Sequence, residues 1–195
     1  QTILDTEILR TGLVEMCERP GGRKVSPLVW LLAKNKLETS EIQTILDTEI
    51  LRTGLVEMCE LPNGAKISPM YWLLKKNKLE TSEIQTILSD ADVRKSLGEI
   101  CVFSDGAKIS PLYLLLKKTT LEKPEIQTIL DNEAFHNSLR EICVFSDGAK
   151  VSPLCRLLDN NQLETSEIQT ILDTEILCTG LVEMCELPNG AKISP

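Results

Sequence analysis

One histidine, His136, two tryptophans, two tyrosines and three phenylalanines are all that 195 residues offer of those types. There is no Cys-x-x-Cys pair, and no apolar run reaches the roughly 20 residues that span a bilayer. Each scarcity closes a route to function. Ser-His-Asp chemistry would rest on His136 alone, at a position that changes between copies of an internal repeat, so no enzyme is expected. A zinc site would have to gather ligands from several repeats, so neither a metal nor any other cofactor is expected. No signal-peptide layout opens the chain, and no membrane partner is implied. A basic surplus is missing too: 21 Lys and Arg stand against 29 Asp and Glu, for a net charge of −8. The acidic excess lies almost entirely beyond residue 126. Phosphate neutralisation dominates duplex binding, so duplex DNA is disfavoured as a partner and nucleic acid in general is unlikely.

What the chain does have is a period. Gln-Thr-Ile-Leu begins at Gln1, Gln43, Gln85, Gln127 and Gln169, always 42 residues apart. Residues 1–18 and 43–60 are identical, and 169–186 differs from them only at Cys178. The chain is therefore one repeat array over 1–195, with repeats 1–42, 43–84, 85–126 and 127–168 and a partial repeat 169–195. Fixed self-similarity at this length is the signature of architectures in which each repeat packs only on its neighbours. No polar capping repeat closes either end, so the array is expected to be a fragment of a longer protein. Five of the seven cysteines share one column, Cys17, Cys59, Cys101, Cys143 and Cys185; Cys155 and Cys178 stand elsewhere. A small buried thiol per repeat explains the column. The odd count suits the cytoplasm or another reducing intracellular compartment.

Within a repeat the letters punctuate helices. Asn63-Gly64 and Asp105-Gly106 are turn dipeptides, and glycine recurs in that column in every copy. Ser68-Pro69 then places a serine at an N-cap and a proline at the first helical position. A first helix should run to about Lys76, with Met70, Leu73 and Leu74 on one face. Ser82 with Gln85 reads as a capping box for a short second helix carrying Ile84, Ile87 and Leu88. Ser89, or Asp5, Asp47, Asp131 and Asp173 in the other copies, reads as the cap of a third helix over about 90–101. In the first repeat that helix would bury Leu9, Leu13, Met16 and Cys17. A column alternating between Gly and Ser (Gly12, Gly54, Ser96, Ser138, Gly180) would allow close helix approach. The expectation is an all-α chain, an α-solenoid with three short helices per repeat joined by Asn-Gly or Asp-Gly turns.

The stretch from Asp105 to Leu115 resembles the entry of an ankyrin repeat. Ser110, Pro111 and Leu112 match that family's Thr-Pro-Leu, and Tyr113 stands at its histidine. Leu121-Glu122 and Glu125-Ile126 are similar to the start of its second helix. The resemblance covers about half of each repeat and implies capped helices and partner binding. The 42-residue period exceeds the family's, and Leu115 and Leu116 stand where it prefers small residues. Armadillo-like repeats agree better in length, but no armadillo motif is present.

Partner binding is placed on the face of stacked first helices. One column holds Trp30, Trp72, Leu114 and Arg156, and beside it run Val29, Tyr71, Tyr113 and Cys155. Trp, Tyr and Arg dominate interface hot spots, and Arg156 replacing Trp suggests solvent access. Packing against neighbouring helices is the competing account of both columns. On the third helix, Arg10, Arg52, Arg94, His136 and Cys178 form one outward column and Val14, Val56, Gly98, Arg140 and Val182 another. A lysine ladder, Lys24, Lys66, Lys108, Lys150 and Lys192, is either solvated charge or a ridge for an acidic peptide or a single nucleic-acid strand. The expected function is a non-catalytic scaffold for a protein or peptide partner. A modular binder of single-stranded nucleic acid and a passive spacer are the alternatives.

Overall fold

The computed structural model describes Leu4 and residues 6–160, 163–182, 185–186 and 190–193. It divides into two compact halves, Gln1–Ser96 and Leu97–Pro195. The first half begins with α1 (Glu7–Val14), β1 (Cys17–Arg19), β2 (Arg23–Val25), α2 (Pro27–Lys34), α3 (Thr39–Asp47) and α4 (Glu49–Val56). It continues with β3 (Cys59–Glu60), β4 (Lys66–Ile67), α5 (Pro69–Lys76), α6 (Thr81–Ser89) and α7 (Ala91–Gly98), which ends just past the division. The second half begins with β5 (Cys101–Val102), β6 (Lys108–Ile109), α8 (Pro111–Lys118), α9 (Lys123–Leu130), α10 (Glu133–Arg140) and β7 (Cys143–Val144). β8 (Lys150–Val151), α11 (Pro153–Asn160), α12 (Thr165–Asp173), α13 (Glu175–Val182), β9 (Cys185–Glu186) and β10 (Lys192–Ile193) complete it.

The strands overturn the expectation of an all-α chain. Each Asn-Gly or Asp-Gly turn joins not two helices but two short antiparallel strands, as in Cys59↔Ile67 and Cys101↔Ile109. In the second half the hairpins also bond to one another, Lys108 opposite Val144 and Lys150 opposite Glu186. The third helices stop earlier than periodicity suggests. α1 ends at Val14 and the chain turns extended at Glu15, so Met16 lies beyond the helix and Cys17 opens a strand. The physical reason is legible in hindsight: Cys-Val-Phe and Lys-Ile flank a turn glycine, and apolar residues around Asp-Gly are a strong hairpin signal. Gly106 has φ 87°, and a Cβ there would meet nothing within 4 Å. Backbone conformation, not space, demands the glycine. Asp105 Oδ1 accepts the Ala107 N–H at 3.0 Å and closes the turn.

Helix entries differ from the sequence reading in register. The first helices begin at the prolines, and Ser110 Oγ accepts the Tyr113 N–H at 3.2 Å. The second helices are capped from Glu80, not Ser82: the Glu83 carboxylate accepts the Glu80 N–H at 2.7 Å, two residues upstream of the expected box. Glu41 and Glu167 do the same for Glu38 and Glu164. Third helices are capped one residue later than expected, with Asp90 Oδ1 accepting the Asp92 and Val93 N–H groups. Ser89 instead ends α6, donating to the Thr86 carbonyl.

Within each half like elements pack on like. In the first, α2 lies on α5, α3 on α6 and α1 on α4; in the second, α8 lies on α11, α9 on α12 and α10 on α13. Leu28, Leu32, Met70, Leu73, Ile45, Ile87 and Leu55 are fully buried between them, and Leu112, Ile129, Leu139 and Leu154 repeat the pattern. Each such side chain contributes on the order of 1.5–3 kcal/mol, which helices of eight or nine residues need because alone they would be marginal. Two cysteines of the column join neighbouring repeats, Ser26 N–H pointing at Cys59 Sγ (3.5 Å) and Ser110 N–H at Cys143 Sγ (3.4 Å), whereas Cys17 is exposed rather than buried as expected. Burial holds the Cys143 thiol above its ordinary pKa, against the opposing effect of Ser110, so it stays protonated and inert.

Candidate partner-binding face

The first helices carry the residues singled out for partner binding, and the structure divides them. Val29, Tyr71, Tyr113 and Cys155 are buried, so this column packs between repeats rather than forming an open stripe. The neighbouring column is graded: Trp30 is 37% exposed, Trp72 and Arg156 are half-buried and Leu114 is buried. The wheel thus separates two columns that the sequence reading treated together.

Where the columns meet solvent, cations lie over rings. Lys75 Nζ sits 5.3 Å from the Tyr71 ring centroid and 5.0 Å from that of Trp72. The two rings meet edge to face at 5.3 Å. Burial lowers the Lys75 pKa, with Lys76 adding to the effect. Trp72 Nε1 is buried and has no hydrogen-bond acceptor. One repeat pair further on, Lys117 Nζ lies 5.9 Å and Arg156 Cζ 5.6 Å from the Tyr113 ring. Arg156 Nε–H donates to Tyr113 Oη at 3.1 Å, and Arg156 Nη1 pairs with Asp159 at 3.0 Å. Burial pushes the Tyr113 phenol above its usual pKa, the Arg156 contact opposing it, so the phenol is neutral at physiological pH. Phe145, from the β7–β8 turn, packs on Tyr113 at 5.0 Å. These side chains, with Asp147, Ala149 and Val151, line a cavity of about 170 Å³ between α8, α11 and the hairpin.

The two third-helix columns expected to face outward mostly do neighbourly work instead. Arg10 Nε, Arg52 Nη1 and Arg94 Nη1 donate to the carbonyls of Leu4, Leu46 and Leu88, six residues back, at 2.6, 2.9 and 3.1 Å. Arg52 and Arg94 thereby cap the C-termini of α3 and α6, where positive charge is favoured. His136 Nε2 takes the same place on the Leu130 carbonyl at 2.7 Å and must carry a proton to do so. Arg52 also pairs with Asp90 of the next repeat at 3.0 Å. Sequence reasoning missed this role because a bond six residues back crosses a helix junction that no wheel represents. Of the other column, Val182 faces outward as expected, whereas Val14 and Gly98 lie in the contact between third helices: a Cβ on Gly54 would fall 2.4 Å from Val14 Cγ1, and one on Gly98 would fall 2.1 Å from Ser138 Oγ.

The lysine ladder falls on the second strand of each hairpin, and Lys24, Lys66, Lys108, Lys150 and Lys192 are all exposed. Lys24 and Lys66 face Glu18 and Glu60 across their hairpins, whereas Lys108 and Lys150 face Val102 and Val144. Among the described residues no group of three or more His, Cys, Asp or Glu could hold a metal ion, and no helix is long and apolar enough to cross a membrane. No protein-family model, curated protein or solved structure matches the chain.

Proposed function

We propose that the chain is a non-catalytic scaffold that binds a protein or peptide partner on the face of its stacked first helices. The observation that carries this reading is that each half lays cations over aromatic rings of its first helices, Lys75 on Tyr71 and Trp72 in the first half, where Trp30 is also exposed, and Lys117 and Arg156 on Tyr113 in the second. Such groups combine a large rigid contact area with charge, the composition of interface anchors. The ankyrin-like entry of each first helix supports the same reading, because that resemblance implies partner binding.

The lysine ladder supports a second reading, binding of a single nucleic-acid strand, since its charges are exposed and evenly repeated. Cross-strand glutamates weigh against it in both halves, Glu18 and Glu60 opposite Lys24 and Lys66 and Glu186 opposite Lys150 and Lys192. Affinity capture with the full chain separates the two. Trp30→Ala should reduce recovery of a captured protein about tenfold or more, as an interface anchor does, with little change in melting temperature. Lys66→Gln should leave recovery unchanged. If the lysine variant abolishes capture and the tryptophan variant does not, the first-helix reading is wrong.

A further inference from the structure

The cavity beside Tyr113 has a counterpart that lacks its charges. Counting back two repeats, Tyr113, Lys117, Phe145, Asp147, Val151 and Arg156 become Val29, Ala33, Leu61, Asn63, Ile67 and Trp72. In that earlier copy no position is ionisable. In the later one two cations and one carboxylate appear together, on two different helices and a hairpin. Asp147 is already engaged: its Oδ1 accepts the Ala149 N–H at 3.0 Å and holds the turn. Arg156 spends Nε on Tyr113 and Nη1 on Asp159, which leaves the Nη2 edge of a planar donor fork that suits carboxylate oxygens. Lys117 is exposed, and its one interaction among the described residues is the Tyr113 ring. A neutral Tyr113 phenol that accepts from Arg156 can still donate its own proton. Three donors of two kinds therefore border an apolar floor of Phe145 and Val151.

We propose that this cavity is an acidic-peptide subsite, in which Arg156 and Lys117 take the carboxylate of a partner Asp or Glu while an adjacent apolar side chain rests on Phe145 and Val151. The inference rests on the first-helix scaffold reading and narrows it to a peptide chemistry. The cavity's size agrees, since about 170 Å³ has room for one or two side chains. Charge complementarity selects the occupant: Lys117 has no anionic partner among the described residues, and Arg156, already paired with Asp159, keeps its Nη2 edge for a second carboxylate, which an apolar peptide alone would leave unmet.

The test titrates the full chain with a capped Glu-Leu-Glu-Leu-Glu peptide and with its Gln-Leu-Gln-Leu-Gln analogue, followed by fluorescence anisotropy and by amide chemical shifts. The acidic peptide should bind about tenfold tighter or more, the scale of a charge-assisted hydrogen bond, and should shift residues around Tyr113, Phe145 and Arg156. Arg156→Gln and Lys117→Gln should each erase most of that preference. Arg156→Trp keeps the fold on solid ground, because tryptophan already occupies this column at Trp30 and Trp72, and it should erase the preference likewise. Equal affinity for the two peptides, no binding of either, or an undiminished preference in the double Gln variant each overturns the subsite. Oligothymidylate binding at these residues in place of the acidic peptide overturns it as well. The capture experiment with Trp30→Ala is independent of this outcome. Loss of the subsite with capture retained leaves the scaffold standing, and loss of capture with peptide preference retained leaves only the subsite.

Discussion

The two halves solve the same contact with opposite distributions of bulk. In the first, Val14 on α1 leans on Gly54 of α4; in the second, Gly98 at the end of α7 leaves room for Ser138 of α10. Arg140 against Gly180 returns to the first arrangement, with the Arg140 stem near the glycine. A pair of columns therefore behaves as one volume, shared between neighbours. The halves also differ in how a polar group crosses between repeats near the end of the first helix. In the first half Asn77 Oδ1 accepts the Leu37 N–H at 2.8 Å, while its Nδ2 donates to the Leu73 carbonyl of its own helix. In the second half Thr119, one repeat on from Asn77, turns back on the Leu115 carbonyl at 2.6 Å, and Asn160 donates to the Leu116 carbonyl of the preceding repeat. The lesson is that the repeat conserves a requirement rather than a residue.

The comparison can be broken most severely at Gly54. Gly54→Val sets two stiff β-branched side chains at one spot, and Val14 Cβ itself lies 3.0 Å from the new Cβ, so rotation gives no relief. A loss of about 3 kcal/mol is expected from urea unfolding, partly recovered by adding Val14→Gly. Asn77→Ala comes next. It strands the buried Leu37 N–H, and the unfolding midpoint should report about 2 kcal/mol. A smaller effect is expected of Gly98→Ala. The Ser138 hydroxyl can turn aside, but Ser138 Cβ stays 3.0 Å from the new Cβ, so a loss of about 1 kcal/mol is expected. If Gly98→Ala proves as costly as the Gly54 variant, the two contacts are not equivalent after all.

The smallest expected effect concerns Glu83, fully buried at the start of α6 with one oxygen lacking a partner. Burial raises its pKa, the Glu80 N–H bond opposing that shift. The folded state therefore favours the protonated acid. Its stabilising contribution is complete below the unfolded pKa and disappears as pH rises through the folded one. Glu83→Gln, neutral at every pH, should flatten the melting temperature between the ordinary carboxylate range and neutrality. An unchanged pH profile would show that the buried carboxyl is not responsible.

Much of this was legible in the letters, and the misses have specific causes. Ser-Pro located every first helix because proline fixes both φ and position, and Leu28, Met70 and Leu112 read as core from spacing alone. The hairpins were missed because two-residue strands are too short to show alternation, and because Cys17 also fits a helical period. Capping boxes slipped by two residues because Glu80 and Glu83 make the reciprocal bond as well as Ser82 and Gln85 could. In the candidate face, Trp30 is exposed, Arg156 half-buried and Leu114 buried, while Tyr71 and Tyr113 are buried with their cationic covers facing out. No pattern in one repeat could reveal the Tyr113 cavity, since its facing walls come from residues 28 to 43 apart.

The arginine caps have a consequence for how such an array can grow. Arg52 and Arg94 each close a helix that precedes them by one junction, and Arg10 makes the same bond six residues back, so the bond travels with its own segment when a stretch of gene is copied. Inserting or deleting 42 residues at that junction leaves every such cap intact and transfers the demand to the contacts between repeats, among them the shared volume between third helices. A Gly or Ser facing the incoming neighbour there is one feature that lets a new copy fit.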